Sequence, residues 1–159
     1  MRLNNYIPRS KLQVKTTYVQ KPRFPLIDAH NHINAIFNNS EGISPQEILD
    51  DMDEADVDIC VDLDGGWGED ILQNHLDTYK ANAPERFIHF GGVDWSQWFD
   101  KTRDFGEWAA KRLNEQVRWG AQGLKIWKNL GLKVHDHEMN LVPIDDPRLD
   151  PLWGTAGAL

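Results

Sequence analysis

Asp28, His30 and His32, near the amino terminus, have the types and the spacing for metal chemistry; they stand in the segment Pro25-Leu26-Ile27-Asp28-Ala29-His30-Asn31-His32-Ile33. Side chains alternate along an extended strand, so these residues are expected on one face and Ile27, Ala29 and Asn31 on the other. Two neutral imidazoles close together on a rigid strand chelate a divalent ion without rearrangement, and zinc accepts nitrogen together with carboxylate oxygen. A second H-x-H pair, His135 and His137, stands among Lys133, Asp136, Glu138 and Asn140 with no strand pattern around it. That pair is read as an exposed loop.

The elements that must position the first pair follow from periodicity. After a polar connector over 34–42, Ser44-Pro45-Gln46-Glu47 predicts a helix start, with a capping box and proline at the first helical position. Ile48, Leu49, Met52 and Ala55 share one face of that helix. Its other face opens an acidic run, Asp50, Asp51, Asp53, Glu54, Asp56, Asp58, Asp62 and Asp64, read mostly as solvated. Val57 to Leu63 alternates as a second strand and ends at Gly65-Gly66. A helix over 68–82 presents Ile71, Leu72, His75, Leu76 and Tyr79 on one face and stops before Pro84. A third strand is predicted over 87–94, a helix over 105–119, a fourth strand over 124–128, a loop over 129–151 and a further helix from Leu152.

Strand and helix thus alternate at roughly 30 residues or slightly more per repeat, the length of a βαβ unit. A parallel sheet with covering helices follows, and a doubly wound sheet and a (β/α)₈ barrel both satisfy the pattern. In either, functional side chains gather at the carboxyl ends of the strands. Those ends carry His30 and His32, then Asp62 or Asp64, then Asp94, then Lys125 or Lys128, the two lysines having opposite strand parity. Trp67, Trp95, Trp98 and Trp127 are read as core or loop packing, with substrate stacking the lesser alternative.

Composition narrows the classes. The 159 residues are 40% hydrophobic and 26% charged with seven Trp, a globular balance. A net charge of −8 argues against a nucleic-acid partner, which calls for a basic field. No apolar run is long enough to span a bilayer, so no membrane association is expected. The lone Cys60 excludes an internal disulfide and fits a reducing compartment, with the cytoplasm as the expected location, although one cysteine is also compatible with a bacterial envelope protein. Residues 1–23 carry Arg2, Arg9, Lys11, Lys15, Lys21 and Arg23 and no acid. They read as a basic irregular arm, either solvated or laid against the acidic surface, ahead of one domain over 24–159.

Asp28-Ala29-His30-Asn31-His32 resembles the opening metal motif of the amidohydrolase superfamily. Gly123-Leu124-Lys125-Ile126-Trp127-Lys128 and Asp145-Asp146-Pro147-Arg148-Leu149-Asp150-Pro151-Leu152-Trp153 resemble its amidohydrolase-related branch, which includes aminocarboxymuconate semialdehyde decarboxylase. The resemblance implies a (β/α)₈ TIM barrel with a divalent metal, commonly zinc. It implies His30 and His32 as the first two ligands, with Asp28 either a third ligand or an orienting group. Lys125 takes the position of a bridging lysine in binuclear branches, or pairs with an acid or orients substrate; with Asp94 it is a candidate catalytic residue.

Family sites are completed by residues on the fifth, sixth and eighth strands, whereas four units are expected here, the N-terminal half of a barrel that typically takes about 250 residues. The chain is therefore expected to be truncated and, alone, to turn over little. The function expected from the resemblance is hydrolysis of a small amide, ester or lactone substrate through a metal-activated water. Nonoxidative decarboxylation is the alternative, as is a noncatalytic half-barrel that associates with another copy or another chain. A TatD-like nuclease also opens with H-x-H, but the acidic balance and the later motifs argue against it.

Overall fold

The computed structural model describes residues 11–12, 14–33 and 44–159. The first ten residues of the basic arm and the predicted 34–42 connector lie outside them. The described part of the arm has no regular secondary structure and touches the acidic surface through Lys21, whose Nζ lies 3.2 Å from Asp56 Oδ1.

Four strands, β1 (Leu26–Asn31), β2 (Val57–Asp62), β3 (Phe87–Gly91) and β4 (Gly123–Leu124), form one all-parallel sheet. Their order in the sheet is their order in the chain, with no reversal. A doubly wound sheet requires a point where the strand order turns back. The unreversed order gives instead a curled half-barrel, compatible with half of a (β/α)₈ barrel.

The helices between strands are α1 (Pro45–Glu54), α2 (Glu69–His75) and α3 (Phe105–Trp119), and α4 (Asp150–Ala158) closes the chain. α1 starts where its capping box directs: Ser44 Oγ accepts from the Glu47 N–H at 3.2 Å and the Glu47 carboxylate accepts from the Ser44 N–H at 2.8 Å. α2 runs on through a π-helical turn, Leu76–Lys80, where the Ala81 N–H donates five residues back to the Leu76 carbonyl. α4 begins two residues ahead of the predicted start, with Pro151 in its first turn.

β2 ends one residue short of its predicted end, and β3 and β4 fall further short. β3 stops at Gly91 because the next residue leaves the ladder: Gln116 Oε1 accepts from the Gly92 N–H at 3.0 Å, and Gln116 Nε2 donates to the Gly92 carbonyl at 2.9 Å. β4 is two residues rather than five; the Lys125 N–H still reaches the Gly91 carbonyl, and the chain then turns through Trp127–Leu130. The parity argument for Lys125 and Lys128 lapses there, since neither lies on a strand.

One face of the sheet meets the helices. Cys60 pairs with Phe87, and both pack with Ile48 and Met52 of α1 and with Tyr79. Register carries the same face forward to the paired residues Asp62 and His89. A second cluster joins Phe105, Ala109 and Leu113 of α3 to Leu149 and Leu152 at the start of α4.

Candidate functional site

The alternation expected for β1 is broken. Asp28 pairs with Cys60 and Asn31 with Asp62, so three steps on β1 span two on β2, and β1 carries one extra residue. Such a bulge reverses the facing of everything after it. Asp28 and Asn31 therefore share a side, and the Asn31 amide donates to Asp28 Oδ2 at 2.7 Å. The other Asp28 oxygen accepts from the His30 backbone N–H at 3.2 Å. The expected single face of Asp28, His30 and His32 is corrected accordingly: the Asp28 carboxylate folds back on its own strand.

The two imidazoles do come together. The rings of His30 and His32 are 5.2 Å apart, edge to face, at the carboxyl end of β1. His30 is exposed and His32 half-buried. His32 Nδ1 lies 2.8 Å from Asp64 Oδ1 in the turn after β2. Trp127, from the segment after β4, stacks on the His32 ring at 5.4 Å, and Lys125 Nζ sits 5.5 Å from the Trp127 ring centre. The carboxyl ends of β1, β2 and β4 thus meet at His32.

Beside this point opens a cleft of about 980 Å³ whose lining includes Trp67, Asp94, Trp95, Arg112, Trp127 and Lys128. Its floor needs glycine: a Cβ on Gly92 would stand 2.3 Å from the Gly66 Cα. Asp94 is exposed at the amino end of a 3₁₀ turn and accepts from Ser96 and Gln97. Partial burial works to raise its pKa, but those hydrogen bonds outweigh it and hold the carboxyl below its ordinary value. Asp94 is among the residues that line the cleft and Lys125 is not: its stem lies beside Gly66, where an added Cβ would stand 3.0 Å from Lys125 Cγ, and its ammonium group reaches the Trp127 ring. His135, half-buried, lies on an isolated bridge, and its Nδ1 donates to the Lys133 carbonyl at 2.8 Å within a turn-rich loop.

A second constellation escaped the sequence reading. Asp62, His75 and His89 are 0%, 3% and 0% exposed, between the sheet and α2. Asp62 Oδ2 accepts from His75 Nδ1 at 2.7 Å and from His89 Nδ1 at 2.8 Å, and Asp62 Oδ1 accepts from the Asp64 N–H at 3.1 Å. Burial pushes the Asp62 pKa up, but the imidazole and amide donors overcome it and hold the carboxyl far below its usual range. Among the described residues this is the only group of three histidine, cysteine or acidic side chains that could hold a metal ion. His89 Nε2, on the far side of the ring, is buried without a hydrogen-bond partner.

The acidic run therefore does not remain solvated to its end: Asp62 and Asp64 are buried. A histidine inside Phe87-Ile88-His89-Phe90 and another on the apolar face of α2 were the available signals. A buried imidazole requires a polar partner, and a strand aspartate could have been sought for it.

Comparison of the chain with family models, curated proteins and solved structures gives no match.

Proposed function

We propose that the chain carries the first metal-binding strand of an amidohydrolase-type hydrolase acting on a small amide, ester or lactone. The observation that carries the reading is the His30–His32 pair at the open end of the sheet, with the second nitrogen of His32 bonded to buried Asp64. Metal-binding histidines commonly donate their other ring N–H to a carboxylate, so the donor set fits a divalent ion, with zinc the best chemical match. When bound, such an ion polarises a carbonyl and acidifies a water.

The residues of the chain supply the rest. His30 and His32 hold the ion where substrate can reach it. Trp67, Trp95 and Trp127 give the neighbouring cleft apolar walls, while Arg112, Lys128 and Asp94 offer charge to orient polar ends of the substrate. The low pKa of Asp94 suits a fixed anion better than a proton acceptor near neutrality. The buried Asp62 group is the competing location for an ion, but it is closed to substrate.

Zinc titration of the whole chain tests the reading. Binding that is lost in His30→Ala or His32→Ala and kept in His75→Gln supports it; binding that survives both former variants overturns it. Acid release from a panel of small amides, esters and lactones, with carbon dioxide measured in parallel, then separates hydrolysis from decarboxylation.

A second reading, association with another chain, draws on β1. Leu26 and Ile27 are 42% and 58% exposed on this strand, which pairs only with β2 among the described residues. An exposed apolar edge strand favours pairing with a further chain. Sedimentation of the purified chain as a stable monomer would exclude it.

A further inference from the structure

We propose that Asp64 is the positioning residue for the metal-binding nitrogen of His32, and that the buried Asp62–His75–His89 group holds Asp64 in place rather than housing the ion itself. This rests on the proposed metal site at His30 and His32, at the open mouth of the sheet.

Asp64 is 1% exposed, and its Oδ1 lies 2.8 Å from His32 Nδ1. A carboxylate only accepts, so the proton of the neutral ring sits on Nδ1 and the lone pair is left on Nε2. That is the state a metal ligand needs. A free imidazole divides its proton between two nitrogens, whereas His32 is given one arrangement before any ion arrives.

The turn that presents Asp64 is held from both sides. Its backbone N–H donates to Asp62 Oδ1 at 3.1 Å, and the intervening Leu63 N–H donates to the Asn31 carbonyl at 3.0 Å, beside His32. Asp62 is in turn fixed by His75 from α2 and His89 from β3. Three elements thus converge on one carboxylate, which sets the turn carrying the next. The separations within the buried group agree with this role. Nitrogen and oxygen bound to one tetrahedral ion at about 2.0 Å would stand about 3.3 Å apart, whereas both imidazole nitrogens are within 2.8 Å of Asp62 Oδ2, the distance of a hydrogen bond.

Nitrogen-15 NMR of the histidine rings in the whole, metal-free chain, at a pH where the rings are neutral, reads the arrangement directly. His32 is expected with its proton on Nδ1. Asp64→Ala is expected to shift the proton toward Nε2 and to weaken zinc binding 10- to 100-fold. Asp64→Asn keeps an accepting oxygen and is expected to restore both. His89→Gln is expected to give a smaller, several-fold loss of zinc affinity.

A His32 proton on Nε2 in the unsubstituted chain overturns the proposal, and this needs no variant to fold. Unchanged tautomer and unchanged zinc affinity in Asp64→Ala also overturn it, while leaving the mouth reading intact if His32→Ala still abolishes binding. An Nδ1 proton in a chain that binds no zinc would sustain the positioning by Asp64 and reject the metal reading. Zinc binding lost in His75→Gln or His89→Gln but kept in His32→Ala would place the ion in the buried group and overturn both.

Discussion

His32 Nδ1 lies 2.8 Å from Asp64 Oδ1, an in-plane bond that ties the end of β1 to the turn after β2, while the ring stacks on Trp127. An ion reaching His32 therefore changes the field at one particular indole. Zinc is expected to alter the intrinsic fluorescence of the chain. Trp127→Phe, which keeps an aromatic face for stacking, is expected to remove most of that change while calorimetry shows affinity within about threefold of the original.

Asp62 links stability to pH. Its carboxyl is held below the ordinary value in the folded chain, so the unfolded state takes up the proton first as pH falls. The contribution is present above the unfolded pKa of about 4 and is lost as pH drops toward the folded value. The urea midpoint is expected to fall between pH 5 and pH 3, and to fall less in Asp62→Asn. Asp62→Ala leaves two buried imidazole N–H groups without an acceptor, at a cost of about 2–5 kcal/mol.

Gln116, 1% exposed, satisfies both backbone groups of Gly92 where β3 gives way to the cleft. Gln116→Leu keeps the bulk and strands that N–H and carbonyl, so equilibrium unfolding should register a loss of about 2–4 kcal/mol. Gly92→Ala should also be costly, because its new Cβ meets backbone at 2.3 Å and backbone cannot rotate away. Gly154→Ala is the control. Nothing lies within 4 Å of its Cβ on α4, and the change should stabilise by about 0.5–1 kcal/mol.

Cys60 is buried among apolar side chains, and burial, with the Asp28, Asp62 and Asp64 carboxylates adding to it, pushes its thiol up to about 12. Iodoacetamide at pH 8 should label it about a thousandfold more slowly in the folded chain than in urea. The sign for stability is opposite to that of Asp62: the raised thiol pKa leaves stability intact below the ordinary value near 9, and stability declines as pH rises from there toward 12. Rapid labelling of the native chain at pH 8 would contradict the burial.

Much of the architecture could be read from local pattern. The capping box at Ser44, the spacing of Phe105, Ala109 and Leu113, and the alternation of Val57, Ile59 and Val61 are signals within one element, and α1, α3 and β2 follow them closely. Strand ends were less legible, because β3 and β4 end where Gln116 and a turn draw the backbone away, and those partners are distant in sequence.

By itself the sequence determined that strands and helices alternate and that two histidines would stand close together near the end of the first strand, because periods of two and of 3.6 residues are properties of neighbouring side chains. Only the tertiary structure decided the rest. One inserted residue in β1 turned Asp28 away from the imidazoles. The unreversed strand order chose the half-barrel over the doubly wound sheet. The packing of α2 on β2 and β3 converted an aspartate from an acidic run into the partner of two histidines. Register and burial are set by contacts between segments, and no window of the chain contains both sides of such a contact.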